Sequence, residues 1–177
     1  TYVTSLEPRL LLEAISFVAD LHDDVSILEL FAVRRILEPA ATRMAVQNMT
    51  PELIESLHAL INSVDVNSSV EGLVAHDLEF HRSIVQLSGN AYLSTLVESL
   101  SGNTVRARIW RGLTQENAVP RMFAEHRAII DALSVGDGDL AEALAVVHVS
   151  GVETWLRRWA SGAIPANPSP TAHKHTS

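Results

Sequence analysis

The sequence predicts an all-α fold, an antiparallel bundle of six to seven helices, and three observations carry that expectation. Apolar residues recur at three- and four-residue intervals along most of the chain, the period of a helix with one buried face. Helix start and stop signals bound these stretches, as in Thr50-Pro51-Glu52 and Ser88-Gly89-Asn90. The connections are shorter than the stretches they join, which favours antiparallel neighbours. Composition agrees, because 47% hydrophobic with only 5% aromatic residues suits a core of Leu, Val, Ile and Ala. A chain of 177 residues is long enough for one sizeable core.

The elements follow in order. Thr1 to Ser5 are β-branched and aromatic and read as the end of a strand whose partner lies elsewhere (1–5). A helical domain is expected over 6–160 and a disordered, Gly/Pro/Ser-rich tail over 161–177. The first helix spans Leu6 to Asp20, capped by Ser5 with Pro8 in its first turn. The second runs from Ile27 to Asn48 on a stripe of Leu30, Val33, Leu37, Ala40, Ala41 and Met44, with Pro39 a candidate kink. Thr50-Pro51-Glu52 starts a third that reaches about Asn67. Ser68 or Ser69 caps a fourth, carrying Leu73, Asp77, Phe80, His81, Ile84 and Leu87 to a left-handed stop at Gly89. The fifth spans Asn90 to Trp110, before a break over Gly112 to Pro120. The sixth spans Pro120 to Val135, and Asp139 is the expected cap of the seventh.

Charge and composition exclude several functions. A formal net charge of −8 makes the chain a poor partner for nucleic acid or an anionic membrane. The absence of cysteine removes disulfides and thiolate ligands. No leader pattern and no long apolar run is visible, so a cytoplasmic, membrane-free protein is expected. His-Glu-x-x-His, Gly-x-Ser-x-Gly and phosphate-cradling Gly loops are all absent.

Four polar residues stand at core positions of three helices: Asp77, His81, His126 and His148. Asp77 and His81 lie four apart, ~40° in azimuth and ~6 Å along a helix, so their side chains can grip one ion. Taken singly, each histidine reads as an ordinary core residue bonded to a carbonyl. Three together with an intrahelical Asp favour a divalent metal, zinc first among zinc, nickel, manganese and iron. His22, His58 and His76 read as non-ligands, His76 as an outer donor or an exposed residue.

Arg34 points inward and must find an anion, either a protein carboxylate or a ligand. Its neighbour Arg35 points further round, toward Glu38 or solvent. Arg106 and Arg108 are similar, with one of the two expected to be solvated. Asn103 and Thr104 interrupt an apolar stripe and can line a small polar cavity.

The residues Leu30-Phe-Ala-Val-Arg-Arg-Ile-Leu-Glu-Pro-Ala-Ala-Thr-Arg-Met-Ala45, Asp77-Leu-Glu-Phe-His81, Leu87-Ser-Gly-Asn90, Glu125-His126-Arg-Ala-Ile and His148 resemble the FCD domain. That is the effector-binding domain of the FadR subfamily of GntR transcriptional regulators. The resemblance spans about Ile27 to Trp159 and implies a helical bundle with a metal held by Asp77, His81, His126 and His148. It also implies a cavity for a small carboxylate effector, contacted by Arg34 and here assigned Asn103 and Arg106 as further lining. Members carry a winged helix-turn-helix, and Thr1-Tyr-Val-Thr resembles the last strand of its wing. The resemblance thus implies a homodimeric sensor that reaches DNA only through a domain outside these residues.

Two alternatives stand beside this reading. One is a small metal-dependent enzyme, which lacks an obvious general base because Glu125 and Glu79 adjoin ligands but sit at helix positions that point apart. The other is a bundle with a purely structural metal.

Overall fold

The computed structural model describes residues 27–115 and 117–161. The expected strand remnant, the Leu6–Asp20 helix and the tail from 162 onward lie outside the described residues. Within them the chain forms six α-helices: α1 Ile27–Ala45, α2 Pro51–Asn62, α3 Val70–Leu87, α4 Ala91–Thr114, α5 Ala118–Ser134 and α6 Gly138–Ala160. A short 3₁₀ turn, Val46–Asn48, follows α1. No strand occurs among the described residues.

Local chemistry sets the boundaries. Thr50, Ser69 and Asn90 each cap a helix by accepting a backbone N–H, from Leu53, Gly72 and Leu93 respectively. Gly89 and Gly136 adopt φ of 71° and 75°, the left-handed region that Gly enters without steric cost. Four expected boundaries shift. α2 ends at Asn62 rather than near Asn67, because polar side chains there compete for the backbone. Ser63 Oγ donates to the Leu60 carbonyl, and Asp65 Oδ1 accepts the Asn67 N–H. α4 continues through Gly112 to Thr114, and α5 begins at Ala118, so the break shrinks to a few residues. Asp137, not Asp139, caps α6, its carboxylate accepting the Leu140 N–H at 2.9 Å.

The buried face of α1 is also rotated from the one predicted. Phe31, Arg34, Glu38, Ala41, Thr42 and Ala45 face inward, whereas Val33 and Met44 are exposed. The apolar count favoured the wrong side because two charged residues, Arg34 and Glu38, occupy the buried one and satisfy each other. Pro39 is accommodated inside a continuous α1.

α1 packs most extensively against α6, and α4 packs on both α1 and α3. One apolar cluster gathers Leu57, Ile61, Leu73, Phe80, Ile84, Phe123, Ile129, Ile130 and Leu133 from α2, α3 and α5. A second gathers Phe31, Val149, Val152, Trp155 and Leu156 from α1 and α6. Full burial of each such large side chain contributes ~1.5–3 kcal/mol. Phe80 of the first cluster stacks on a histidine of the polar centre, and Phe31, Val149 and Val152 of the second line the cavity beside it.

Candidate metal centre

Asp77 and His81 project from adjacent turns of α3, His126 from the middle of α5 and His148 from the middle of α6. All four are buried, and one donor atom from each lies within 4.8 Å of the others. His148 Nε2 stands 3.1 Å from His81 Nε2 and 3.3 Å from His126 Nε2. Asp77 Oδ1 stands 3.5 Å from His81 Nε2 and 3.4 Å from His126 Nε2. Donors held ~2.0–2.1 Å from one ion at tetrahedral angles stand ~3.3 Å apart, so these four separations suit a shared ion.

The hydrogen bonding points the same way. Glu125 Oε2 accepts from His148 Nδ1 at 2.8 Å, and Glu38 Oε2 lies 3.0 Å from His81 Nδ1. A proton on Nδ1 leaves the neutral His148 ring with a bare Nε2 lone pair that faces the Nε2 atoms of His81 and His126. Such lone pairs repel unless a cation, a proton or a metal ion, lies between them. His126 is fully buried and stacks on Phe80 with ring centroids 3.7 Å apart. Its Nδ1 has no hydrogen-bond partner among the described residues.

The electrostatics keep three of these donors, Asp77, His126 and His148, in the states that bind cations. Burial opposes charge on Asp77, but Arg108 and His81 beside it hold its carboxyl well below the usual range. Burial likewise opposes charge on Glu38, and Arg34 and His81 overcome it, lowering that carboxyl too. Burial pushes His126 down to about 3 and lowers His148, so both imidazoles are neutral near pH 7. Only His81 is raised: Glu38 and Asp77 outweigh its burial.

A cavity opens on the Asp77, His81 and His148 side of the cluster. Its apolar wall includes Phe31, Leu73, Val119, Met122 and Val152, and Arg34, Arg108 and Arg111 supply cations. Arg34 is ion-paired with Glu38 and donates to Thr104 Oγ1 at 2.8 Å. Arg108 donates to Asp77 Oδ2 at 2.5 Å and to the Ser101 carbonyl at 2.6 Å. Arg111 donates to the amide oxygen of Gln115 at 2.7 Å.

The sequence-nominated residues fall into three groups. Asp77, His81, His126 and His148 come together, and Arg34 lines the cavity, already paired with a carboxylate. Asn103 is exposed and does not line the cavity, because its place on α4 faces outward while Thr104 is fully buried. The side chain of Arg106 lies outside the described residues, and Arg108 is the arginine of that turn that reaches the centre. His76 is buried, against the expectation of an exposed residue or an outer donor, packed near Phe123 and His126 with neither ring nitrogen bonded. Arg35 pairs with Glu153 rather than with Glu38 or solvent alone.

Glu38, Glu125 and Arg111 were missed. Glu38 follows Arg34 by four on the true inner stripe of α1, a signal present in the sequence but masked by the stronger apolar pattern. Arg111 follows Thr104 by seven and Ala107 by four, and so shares their helix face. Glu125 carried no such signal. It points away from its neighbour His126, as expected, and its carboxylate meets His148 on the next helix.

Comparisons with known proteins agree with the architecture. Residues 29–151 match the FCD domain. The chain is 29% identical over 121 residues to the galactonate operon transcriptional repressor of Escherichia coli, covering 67% of this chain and 52% of that protein. It is 28% identical over 162 residues to the HTH-type transcriptional regulator LutR of Bacillus subtilis, covering 88% and 73%. It is 30% identical over 129 residues to the HTH-type transcriptional repressor NanR of Citrobacter rodentium, covering 70% and 48%. The chain thus spans about half the length of two of these relatives.

Among solved structures, Escherichia coli McbR/YncC superposes with a TM-score of 0.64 at 17% identity, over 75% of this chain and 64% of that one. Streptococcus agalactiae GntR superposes with a TM-score of 0.58 at 20% identity, over 72% and 58%. These relatives are transcriptional regulators, not enzymes, which removes the metalloenzyme alternative. The chain belongs to the FCD-domain family of GntR-type transcriptional regulators.

Proposed function

We propose that this chain is the ligand-sensing domain of a bacterial transcriptional regulator, binding a divalent metal and, beside it, a small carboxylate metabolite. One observation carries the reading: four buried donors converge beside a cavity that three of them and three arginines line. Asp77, His81, His126 and His148 would hold the ion, zinc first, with nickel, manganese or iron compatible with the same donors. When bound, the ion supplies Lewis-acid affinity for a carboxylate oxygen.

The residues of the chain do the rest. Arg34 and Arg108 border the cavity but are matched by Glu38 and Asp77, so they orient a carboxylate more than they attract it. Arg111 donates to the Gln115 amide and feels the charges of Glu125 and Asp77 only at longer range, so it brings further positive charge to the cavity. The apolar wall excludes water from the contact. One relative governs a galactonate operon, and galactonate is a sugar acid, the class of ligand such a site suits.

On this reading the regulator is cytoplasmic and homodimeric and reaches DNA through a winged helix-turn-helix outside these residues; the HTH-type names of two relatives support the DNA-binding part alone. No helix among the described residues is long and apolar enough to cross a membrane. The effector acts by binding one state of the regulator more tightly than another.

Elemental analysis combined with thermal melts, with and without chelator and with a panel of sugar acids and small carboxylates, tests the reading. One metabolite should raise the melting midpoint only when the metal is bound. At one hundred times its Kd it adds ~2.7 kcal/mol, or roughly 5–10 °C. A protein that binds metal yet responds to no carboxylate would be a stapled bundle rather than a sensor.

A further inference from the structure

We infer that Glu125 is a positioning residue for the metal centre, holding His148 as the Nδ1–H tautomer so that its Nε2 is free for the ion. This rests on the metal reading above; on the other side of the centre Glu38 Oε2 only approaches His81 Nδ1.

The geometry comes first. Glu125 Oε2 accepts from His148 Nδ1 at 2.8 Å, and the opposite nitrogen of the same ring faces the Nε2 atoms of His81 and His126 at 3.1 and 3.3 Å. A neutral imidazole carries one N–H, so a carboxylate that claims Nδ1–H leaves the lone pair on Nε2. The carboxylate is itself held: Glu125 Oε1 accepts from Arg121 Nε at 2.6 Å, one helical turn away on α5. Three side chains on two helices thus form a chain, Arg121 to Glu125 to His148, that ends at the candidate ligand nitrogen.

This relation has two chemical consequences. The charge on Glu125 makes the imidazole more basic and so a stronger donor to a cation, and the fixed ring plane lowers the entropy lost on binding. His126 offers the contrast, because its Nδ1 has no hydrogen-bond partner among the described residues and its ring stacks on Phe80. On α1, Glu38 Oε2 lies 3.0 Å from His81 Nδ1 but is shared with Arg34, which ties that carboxylate to the cavity as well. Glu125 does not line the cavity and hydrogen-bonds no arginine that does, which makes it the cleaner residue to test.

The experiment compares the 177-residue chain with its Glu125→Gln, Glu125→Ala and His148→Ala variants. Two readouts are taken: zinc affinity by chelator competition, and the His148 tautomer by imidazole ¹⁵N–¹H correlation spectra of the metal-free protein near pH 7.5. The wild type should show the Nδ1–H tautomer. Glu125→Ala should mix the tautomers and weaken zinc ~10- to 100-fold. Glu125→Gln, whose amide oxygen still accepts from Nδ1–H, should keep the tautomer and lose less affinity. Circular dichroism confirms that each variant is folded, and the isosteric Gln variant keeps the test decisive if the Ala variant is not.

An Nε2–H tautomer in the wild type, or zinc affinities in both Glu125 variants equal to wild type, overturns the inference. A wild type that binds no zinc overturns the metal reading and this role with it, an outcome distinct from tight wild-type binding that the Glu125 variants leave untouched.

Discussion

Two groups of Arg–carboxylate pairs, one at the rim of the bundle and one at its centre, differ in almost everything but chemistry. At the surface, Arg43 reaches Asp139 at 2.7 Å and Glu142 at 3.1 Å, all three side chains at least 36% exposed. In the interior, Arg34 pairs with Glu38 and Arg108 with Asp77, no side chain more than 7% exposed. Water screens the first group and competes for its hydrogen bonds, so the pairs add little. The second group is cut off from water, and removing one member strands a charge that nothing else solvates. Ion pairs of similar length therefore decorate the rim and hold the centre in its charged form.

The sharpest way to break this comparison is to delete a member of the centre. Asp77→Ala and His126→Ala should each abolish stoichiometric metal binding by elemental analysis, and bound metal unchanged in both would sink the site assignment. Asp77→Ala should destabilise the metal-free domain as well, because it leaves Arg108 buried and unmatched. Next in size, Arg34→Met strands Glu38 and should cost ~3–5 kcal/mol in urea unfolding. A loss below 1 kcal/mol would mean that water reaches that carboxylate.

A smaller effect follows from pH. Burial lowers His76, His126 and His148, whereas the neighbouring carboxylates raise only His81. Below pH 6.5 an unfolded chain protonates the three lowered histidines and the folded one does not, so each withdraws up to ~1.4 kcal/mol per pH unit. The raised His81 acts in the opposite sense, adding stability that is fully present below 6.5 and lost as pH rises through its folded value. Three against one, the metal-free domain should melt at a lower temperature at pH 5 than at pH 7.5. An unchanged or higher midpoint at pH 5 would show that the three are not kept neutral by burial.

The smallest effect belongs to the rim. Arg43→Ala should leave the melting midpoint within error, and any residual change should vanish in high salt.

These contrasts also mark how far the sequence could be read. The Asp77 and His81 pairing was legible because both residues ride one helix, where a spacing of four places side chains together whatever surrounds them. His126 and His148 were legible as inward residues of strongly periodic stretches. The inner face of α1 was legible only at Arg34, because hydrophobicity ranks Val33 and Met44 above Glu38, whose buried carboxylate is paired with Arg34. Asn103 failed for a related reason: one step of 100° along α4 separates an exposed Asn103 from a fully buried Thr104.

The sequence by itself determined most of the described helices, the Thr50 and Ser69 caps and the inward placement of Asp77, His81, His126 and His148, because those depend on neighbours within one or two turns. Tertiary structure alone decided that Glu125 serves His148 rather than its neighbour, that Arg108 claims Asp77, and that a cavity opens on one side of the cluster. Those contacts join residues 23 and 31 positions apart, and their formation depends on how whole helices dock rather than on any local rule.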